Sequence, residues 1–220
     1  MADLQLNKTF ATGDFQNTKA LHLSKGDVFL YEGDAGKKSC YLILSGSVDV
    51  RLISGSGHET LLYQLGEGSL VGELAMFDKK VRTATVVATT PVHMIEIEAE
   101  EFQQNMGNLA FVEKLAAHFL RRYLMTHDVV CRLSQPNIGM KLCHYFKTLA
   151  EQTDKLEEGT QIAIHLPSHA SMGKLLSCQR ESVTRELKKL TEAGILTQVK
   201  GSDFVLDITN VNLYLGDILD

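Results

Sequence analysis

The sequence predicts an α+β chain in three consecutive parts: a β-rich N-terminal part, one long unbroken helix, and a small helical part that ends in a β-hairpin. Three observations carry this reading. Short apolar runs at residues 28–31, 41–44, 60–65, 84–88 and 92–97 are set apart by turn residues, and Val48, Val50 and Leu52 alternate with polar neighbours, the period of a half-buried strand. No glycine or proline occurs from Leu109 to Gln135, where Val112, Phe119, Thr126 and Leu133 recur every seven residues. Beyond Pro136 helical periodicity returns in shorter pieces, and two apolar runs, 195–199 and 204–206, flank a turn at Gly201-Ser202.

Each part has its own punctuation. Gly33-Asp34, Gly46, residues 54–57 and residues 66–68 supply the turns between many short strands, a spacing that suggests a sandwich or barrel. The long helix of about 27 residues spans roughly 40 Å. Leu115/Ala116, Arg122/Tyr123 and Val129/Val130 fill its intermediate heptad positions, so its stripe suits pairing with a twin helix; packing on its own domain is the alternative. Pro136 breaks the helix, and Asn137 is placed to cap the next one, which runs to about Thr153. A polar loop (154–160), a short strand at Ile162 and Ile164, a helix capped by Ser168 and another starting near Arg180 complete the chain. The expected domains are 1–108, 109–136 and 137–220.

Composition narrows the function. With 44% hydrophobic and 22% charged residues among 220, the chain has an ordinary globular make-up. No stretch approaches the ~18 apolar residues of a membrane span, and the N-terminus lacks the basic and apolar regions of a secretion signal. Four scattered cysteines without C-x-x-C spacing argue against a structural zinc site or an iron–sulfur cluster and fit a reducing cytoplasm. There is no G-x-S-x-G, P-loop or pair of catalytic carboxylates, so no enzyme is expected. The net charge of −5 is the reverse of a nucleic-acid binder's usual excess, so any DNA contact must come from a local basic surface.

Such a surface is present. Residues 168–190, SHASMGKLLSCQRESVTRELKKL, have the layout of a helix-turn-helix, with the small Gly173 where two helices approach. At about 100° per residue, Val183, Leu187 and Leu190 share one side of the second helix, while Arg180, Glu181, Thr184, Arg185 and Lys188 share another. Arginine can donate twice to guanine and a carboxylate can accept from cytosine; the hydroxyl and lysines suit phosphates or bases. A solvated charged face held by internal pairs such as Glu181–Arg185 is the alternative. The string from Cys178 to Arg185, CQRESVTR, resembles the recognition helix of the cyclic AMP receptor protein and fumarate-nitrate regulator superfamily. The resemblance implies that Arg180, Glu181 and Arg185 read a half-site of the TGTGA type; Ser168, Gln179, Thr184 and Lys188 are expected as further DNA contacts.

A second string, GELAMFDKKVRTATV at 72–86, is similar to the phosphate-binding cassette of cyclic-nucleotide-binding domains. A cyclic nucleotide offers a ribose hydroxyl, which suits a carboxylate acceptor, and one anionic phosphate, which suits a guanidinium with hydroxyl and backbone donors. Glu73, Arg82 and Thr83 supply that set, and Gly72 and Leu74 flank it. Residues 121–126 resemble the family stretch whose threonine touches the adenine ring, which would be Thr126. The family's next residue is usually serine; His127 stands here and leaves the base open.

The resemblance covers about residues 20–207. It implies a cyclic-nucleotide-binding β-roll (jelly-roll), a dimerisation helix and a winged helix-turn-helix, with cyclic AMP as effector and double-stranded DNA, a second copy of the chain and RNA polymerase as partners, in the cytoplasm. A ligand-independent regulator, or one sensing another effector such as a cyclic dinucleotide, remains open, as does a redox or haem sensor, for which the His127/Cys131 and Cys143/His144 pairs are poor sites on their own.

Overall fold

The segments at 39–45 and 92–98, rich in apolar residues, are strands that send side chains into two cores. In the computed structural model, which describes residues 10–35, 38–57, 59–77, 82–151 and 161–216, they form β3 (Ser39–Ser45) and β8 (Val92–Glu98), paired antiparallel with Leu42 opposite Ile95 and Ile43 opposite Met94. Because side chains alternate across a strand, Ile43 and Met94 enter the core between two sheets, beside Val48, Val50, Leu65, Val71 and Val86. Leu42, Ile95 and Ile97 enter a second core with Phe10, Phe15, Phe102, Phe111 and Leu115.

The two sheets have the orders β1-β8-β3-β6 and β2-β7-β4-β5, with β1 (Thr18–Leu23), β2 (Val28–Leu30), β4 (Val48–Ile53), β5 (Glu59–Leu65), β6 (Leu70–Val71) and β7 (Thr85–Ala88). This is the expected β-sandwich. A short helix α1 (Ala99–Asn105) and the long helix α2 (Leu109–Ser134) follow and cover the outer core. The sequence reading had no separate place for α1.

The apolar stripe of α2 is corrected in register. Leu115, expected on a seam facing a twin helix, is 3% exposed and lies in the core of its own domain, with Phe119 packed against it. Burying one such leucine stabilises the domain by about 1.5–3 kcal/mol. Of the paired heptad positions, Leu115 and Val129 are buried, whereas Ala116, Tyr123 and Val130 are exposed. The stripe left over is therefore Leu109, Ala116, Leu120, Tyr123, His127 and Val130, with Tyr123 65% and Val130 60% exposed.

The chain divides into two compact units, Met1–Thr126 and His127–Asp220, so the division falls within α2. In the second unit, α2 ends at Ser134, and Asn137 caps α3 (Ile138–Glu151) by accepting from the Met140 N–H at 2.9 Å. Then come β9 (Gln161–His165), α4 (His169–Leu176), α5 (Arg180–Glu192), β10 (Leu196–Lys200), β11 (Asp203–Asp207) and α6 (Ile208–Leu215). Their core gathers Leu142, Phe146, Ile162, Leu176, Val183, Leu187, Leu190, Leu206 and Val211. The hairpin β10–β11 joins β9 in a three-stranded sheet. Helix α6 was not expected, although Asp207, which accepts from the Asn210 N–H at 3.0 Å, and Gly216 bracket it. The expected loop at 154–160 and residues 78–81 of the cassette string lie outside the described residues. No described helix is long and apolar enough to cross a membrane.

Candidate ligand pocket and nucleic-acid interface

The first unit encloses a pocket of about 450 Å³, including its open mouth, lined by Gly72, Glu73, Leu74, Arg82 and Thr83 together with Leu30, Tyr63, Ala84 and Arg122. Gly72 has φ +77°, and a Cβ there would stand 2.6 Å from the Arg82 guanidinium. A side chain is excluded on both counts. The bare backbone lets Arg82 Nη1 donate to the Gly72 carbonyl at 2.9 Å, while Nη2 donates to that of Ser39 at 2.9 Å. The main chain of Arg82 is held in turn by Gly33 and Asp34, each at 2.9 Å. A buried guanidinium is thus fixed in plane beside the exposed Thr83.

Glu73 starts a short 3-10 turn, Glu73–Met76, and is buried. Its Oε1 lies 3.4 Å from Nε2 of His118, a buried residue of α2. Burial by itself raises the Glu73 carboxyl, but the His118 hydrogen bond and the charges of Arg122 and His118 outweigh it and hold the group below the usual carboxylate range. The carboxylate is therefore an acceptor at neutral pH.

Arg122 is the pocket residue that sequence reasoning passed over as a heptad position. Its Nη2 donates to the Leu70 carbonyl at 2.6 Å, and its guanidinium stacks 4.7 Å from the centre of the Tyr63 ring. Its Nη1 is buried without a hydrogen-bond partner. Its partners, Leu70 and Tyr63, lie more than fifty residues away, so no local signal marks it. Thr126 and His127 are not among the lining residues. The Thr126 hydroxyl donates to the Arg122 carbonyl at 2.8 Å, and His127 lies 3.6 Å from Cys131 Sγ.

In the second unit, Asp128 of α2 accepts from Arg132 at 2.7 Å, from Thr148 at 2.9 Å and from His144 at 3.2 Å. The last two stand on α3, so the carboxylate ties the end of α2 to α3. Burial raises the Asp128 carboxyl; the hydrogen bonds of His144 and Thr148 and the charge of Arg132 more than reverse that.

The helix-turn-helix is formed by α4 and α5. Ser168 accepts from the Ser171 N–H at 3.2 Å and so caps α4. The chain turns at Ser177 in the left-handed region (φ +52°), and a Cβ on Gly173 would stand 2.8 Å from the Cys178 carbonyl, so glycine is required where the two helices meet. Val183, Leu187 and Leu190 are buried, while Gln179, Arg180, Glu181, Thr184, Arg185 and Lys188 are exposed. Among the described residues the side chains of Arg180, Glu181 and Arg185 make no ion pair or hydrogen bond, so the internal Glu181–Arg185 pair is not formed. Lys188 lies 3.8 Å from Glu192 across exposed side chains, a contact worth little.

The thiols give no support to a redox reading. Burial pushes Cys143 up to about 12 and raises Cys40 too, so both stay protonated and poorly reactive at neutral pH. Among the described residues no three metal-binding side chains gather.

Comparisons with known proteins agree with this division. Residues 20–108 match the model of a cyclic nucleotide-binding domain, and residues 140–212 match that of a Crp-like helix-turn-helix domain. The cAMP-activated global transcriptional regulator CRP of Escherichia coli is 29% identical over 172 residues, 76% of this chain and 80% of that one. The regulator Vfr of Pseudomonas aeruginosa is 28% identical over 184 residues, 80% and 84% of the two chains. A CooA mutant from Carboxydothermus hydrogenoformans shares the fold at a TM-score of 0.74, with 19% identity over 92% of this chain and 88% of that one. The c-di-GMP responsive regulator CLP of Xanthomonas campestris does so at 0.69, with 23% identity over 86% and 94%. With a cyclic-nucleotide-binding sandwich ahead of α2 and a winged helix-turn-helix behind it, this DNA-binding chain, which is no enzyme, belongs to the CRP/FNR family of transcription regulators.

Proposed function

We propose that the protein is a cyclic-nucleotide-responsive, sequence-specific regulator that acts as a homodimer, with cyclic AMP as its effector. The observation that carries the effector is the unpartnered, buried Arg122 Nη1 in a pocket that already holds Arg82 and Glu73. A buried guanidinium N–H left without an acceptor costs about 1–3 kcal/mol or more, and an anionic ligand offsets that cost. Arg82 and Thr83 suit the phosphate, Glu73 suits the ribose hydroxyl, and Thr126 and His127 are assigned to the base, supplied across the two α2 helices. The curated relatives that match are named as activated by cAMP, which favours that nucleotide.

Arg180, Glu181 and Arg185 are the base readers, supported by their exposure and unpaired state; Ser168, Gln179 and Lys188 serve the backbone, and Thr184 lies on the same exposed face. The exposed stripe of α2 supports pairing of two copies. The reading places the protein in the cytoplasm with DNA and RNA polymerase. Calorimetry of the purified protein against cyclic AMP, cyclic GMP and cyclic di-GMP tests the effector. Saturable binding of cyclic AMP with tighter binding to a duplex of two inverted TGTGA half-sites is the expected result. Binding of the dinucleotide alone, or DNA binding indifferent to all three, overturns it.

A further inference from the structure

We infer that His169 is a proton-gated DNA contact at the junction of the two helices of the helix-turn-helix. Its Nδ1 lies 2.8 Å from the Thr184 hydroxyl of α5. That hydroxyl has one proton, and it donates it to the Arg180 carbonyl at 3.1 Å. We assign that proton to the carbonyl, which can only accept, and this leaves Thr184 to accept from a protonated Nδ1. With Nδ1 engaged by Thr184, Nε2, which has no partner among the described residues, becomes the atom that changes.

When the imidazole is neutral, Nε2 presents a lone pair and repels a phosphate oxygen. When it is protonated, Nε2 presents an N–H and a positive charge, and the contact becomes a charge-assisted hydrogen bond. The position suits a phosphate: His169 is the first residue of α4, its ring is tied to the exposed face of α5, and the first helix of such a motif crosses the DNA backbone. The surroundings set no competing switch on α4, whose first-turn hydroxyls Ser168 and Ser171 bond to each other and whose charged residue is Lys174. The charged groups on neighbouring turns of α5 are Arg180, Glu181, Arg185 and Lys188, three of them cations that a phosphate would also meet. His165, at the end of β9 ahead of α4, pairs with Asp203 at 2.8 Å and serves as an internal control.

Protonation of Nε2 adds a donor and a positive charge at the phosphate, so DNA affinity must rise as pH falls. The test is fluorescence anisotropy with a scrambled duplex and with the half-site duplex, with and without cyclic AMP, at about pH 6 and about pH 8 over a range of salt. The scrambled duplex reports phosphate contacts whatever the effector and the sequence preference. Wild type is expected to bind both duplexes about tenfold more tightly at the lower pH, with the slope of log K against log salt steeper by about 0.9 for each protomer engaged. His169→Gln should remove both changes, and His169→Lys should keep the low-pH slope at both pH values. The inference is overturned if His169→Gln retains the wild-type pH dependence, if His165→Gln abolishes it, or if wild type binds more weakly at low pH, which would make Nε2 an acceptor.

Discussion

Arg122 and Arg82 are both guanidiniums in one pocket, yet only one of them was legible in the sequence. Arg82 stands in a contiguous string with Glu73 and Thr83, so its chemistry can be read locally. Arg122 acquires its role from Leu70 and Tyr63, which the fold brings to it from β6 and β5. Removing either should weaken cyclic AMP binding. Truncating one partner of a buried charged contact costs about 2–5 kcal/mol, so Arg82→Leu and Arg122→Gln should each raise the Kd at least about tenfold, with the far-ultraviolet spectrum unchanged. Glu73→Gln should weaken cyclic AMP more than its 2′-deoxy analogue; an equal loss for both would remove Glu73 from the ribose. In the reading head, Arg180→Ala should relax preference between half-site and scrambled duplexes by about 1–3 kcal/mol, whereas Lys188→Ala should lower both affinities alike.

Helix α2 shows why an element can be legible while its facing is not. Both its stripes are apolar at helical spacing, so the heptad count leaves Leu115 and Ala116, or Val129 and Val130, equally eligible for a seam. Only the packing of Phe102, Phe111 and Leu115 on the sandwich decides which stripe is already taken. Two substitutions one residue apart therefore separate. Phe119→Asp should destabilise the first unit by at least about 3 kcal/mol, visible in its melting temperature. Leu120→Asp should leave that melt in place and shift a dimer towards monomer in analytical ultracentrifugation. The other end of α2 has a pH signature. Because the Asp128 carboxyl is held below its usual value, it adds stability above about pH 4, the range of a free aspartate. That stability is lost as pH falls through its lower folded value. Asp128→Asn should cost about 2 kcal/mol at neutral pH and flatten the acid limb of the stability curve; an unchanged acid limb would show that Asp128 does not clasp α2 to α3.

At the scale of the whole molecule, an acidic chain binds DNA through a small basic face, so its affinity for scrambled duplex should be weak at physiological salt and fall steeply as salt rises. The order of parts was legible because each has its own period, two for the strands and 3.6 for the helices. Helices α1 and α6 were not, since each is short and sits against a strand whose apolar run masks it. The open stripe of α2 carries a consequence of another kind. In a two-fold pair of parallel helices, a residue near the axis stands opposite its own copy, so every substitution there is made twice and must be compatible with itself. A charge at Tyr123 cannot satisfy that condition. Tyr123→Lys and Tyr123→Glu chains should each refuse to pair with themselves and, when co-expressed, pair only with one another. Two differently tagged chains would then share one regulator, and a pocket disabled by Arg82→Leu in just one of them would show whether a single bound nucleotide is enough to engage DNA.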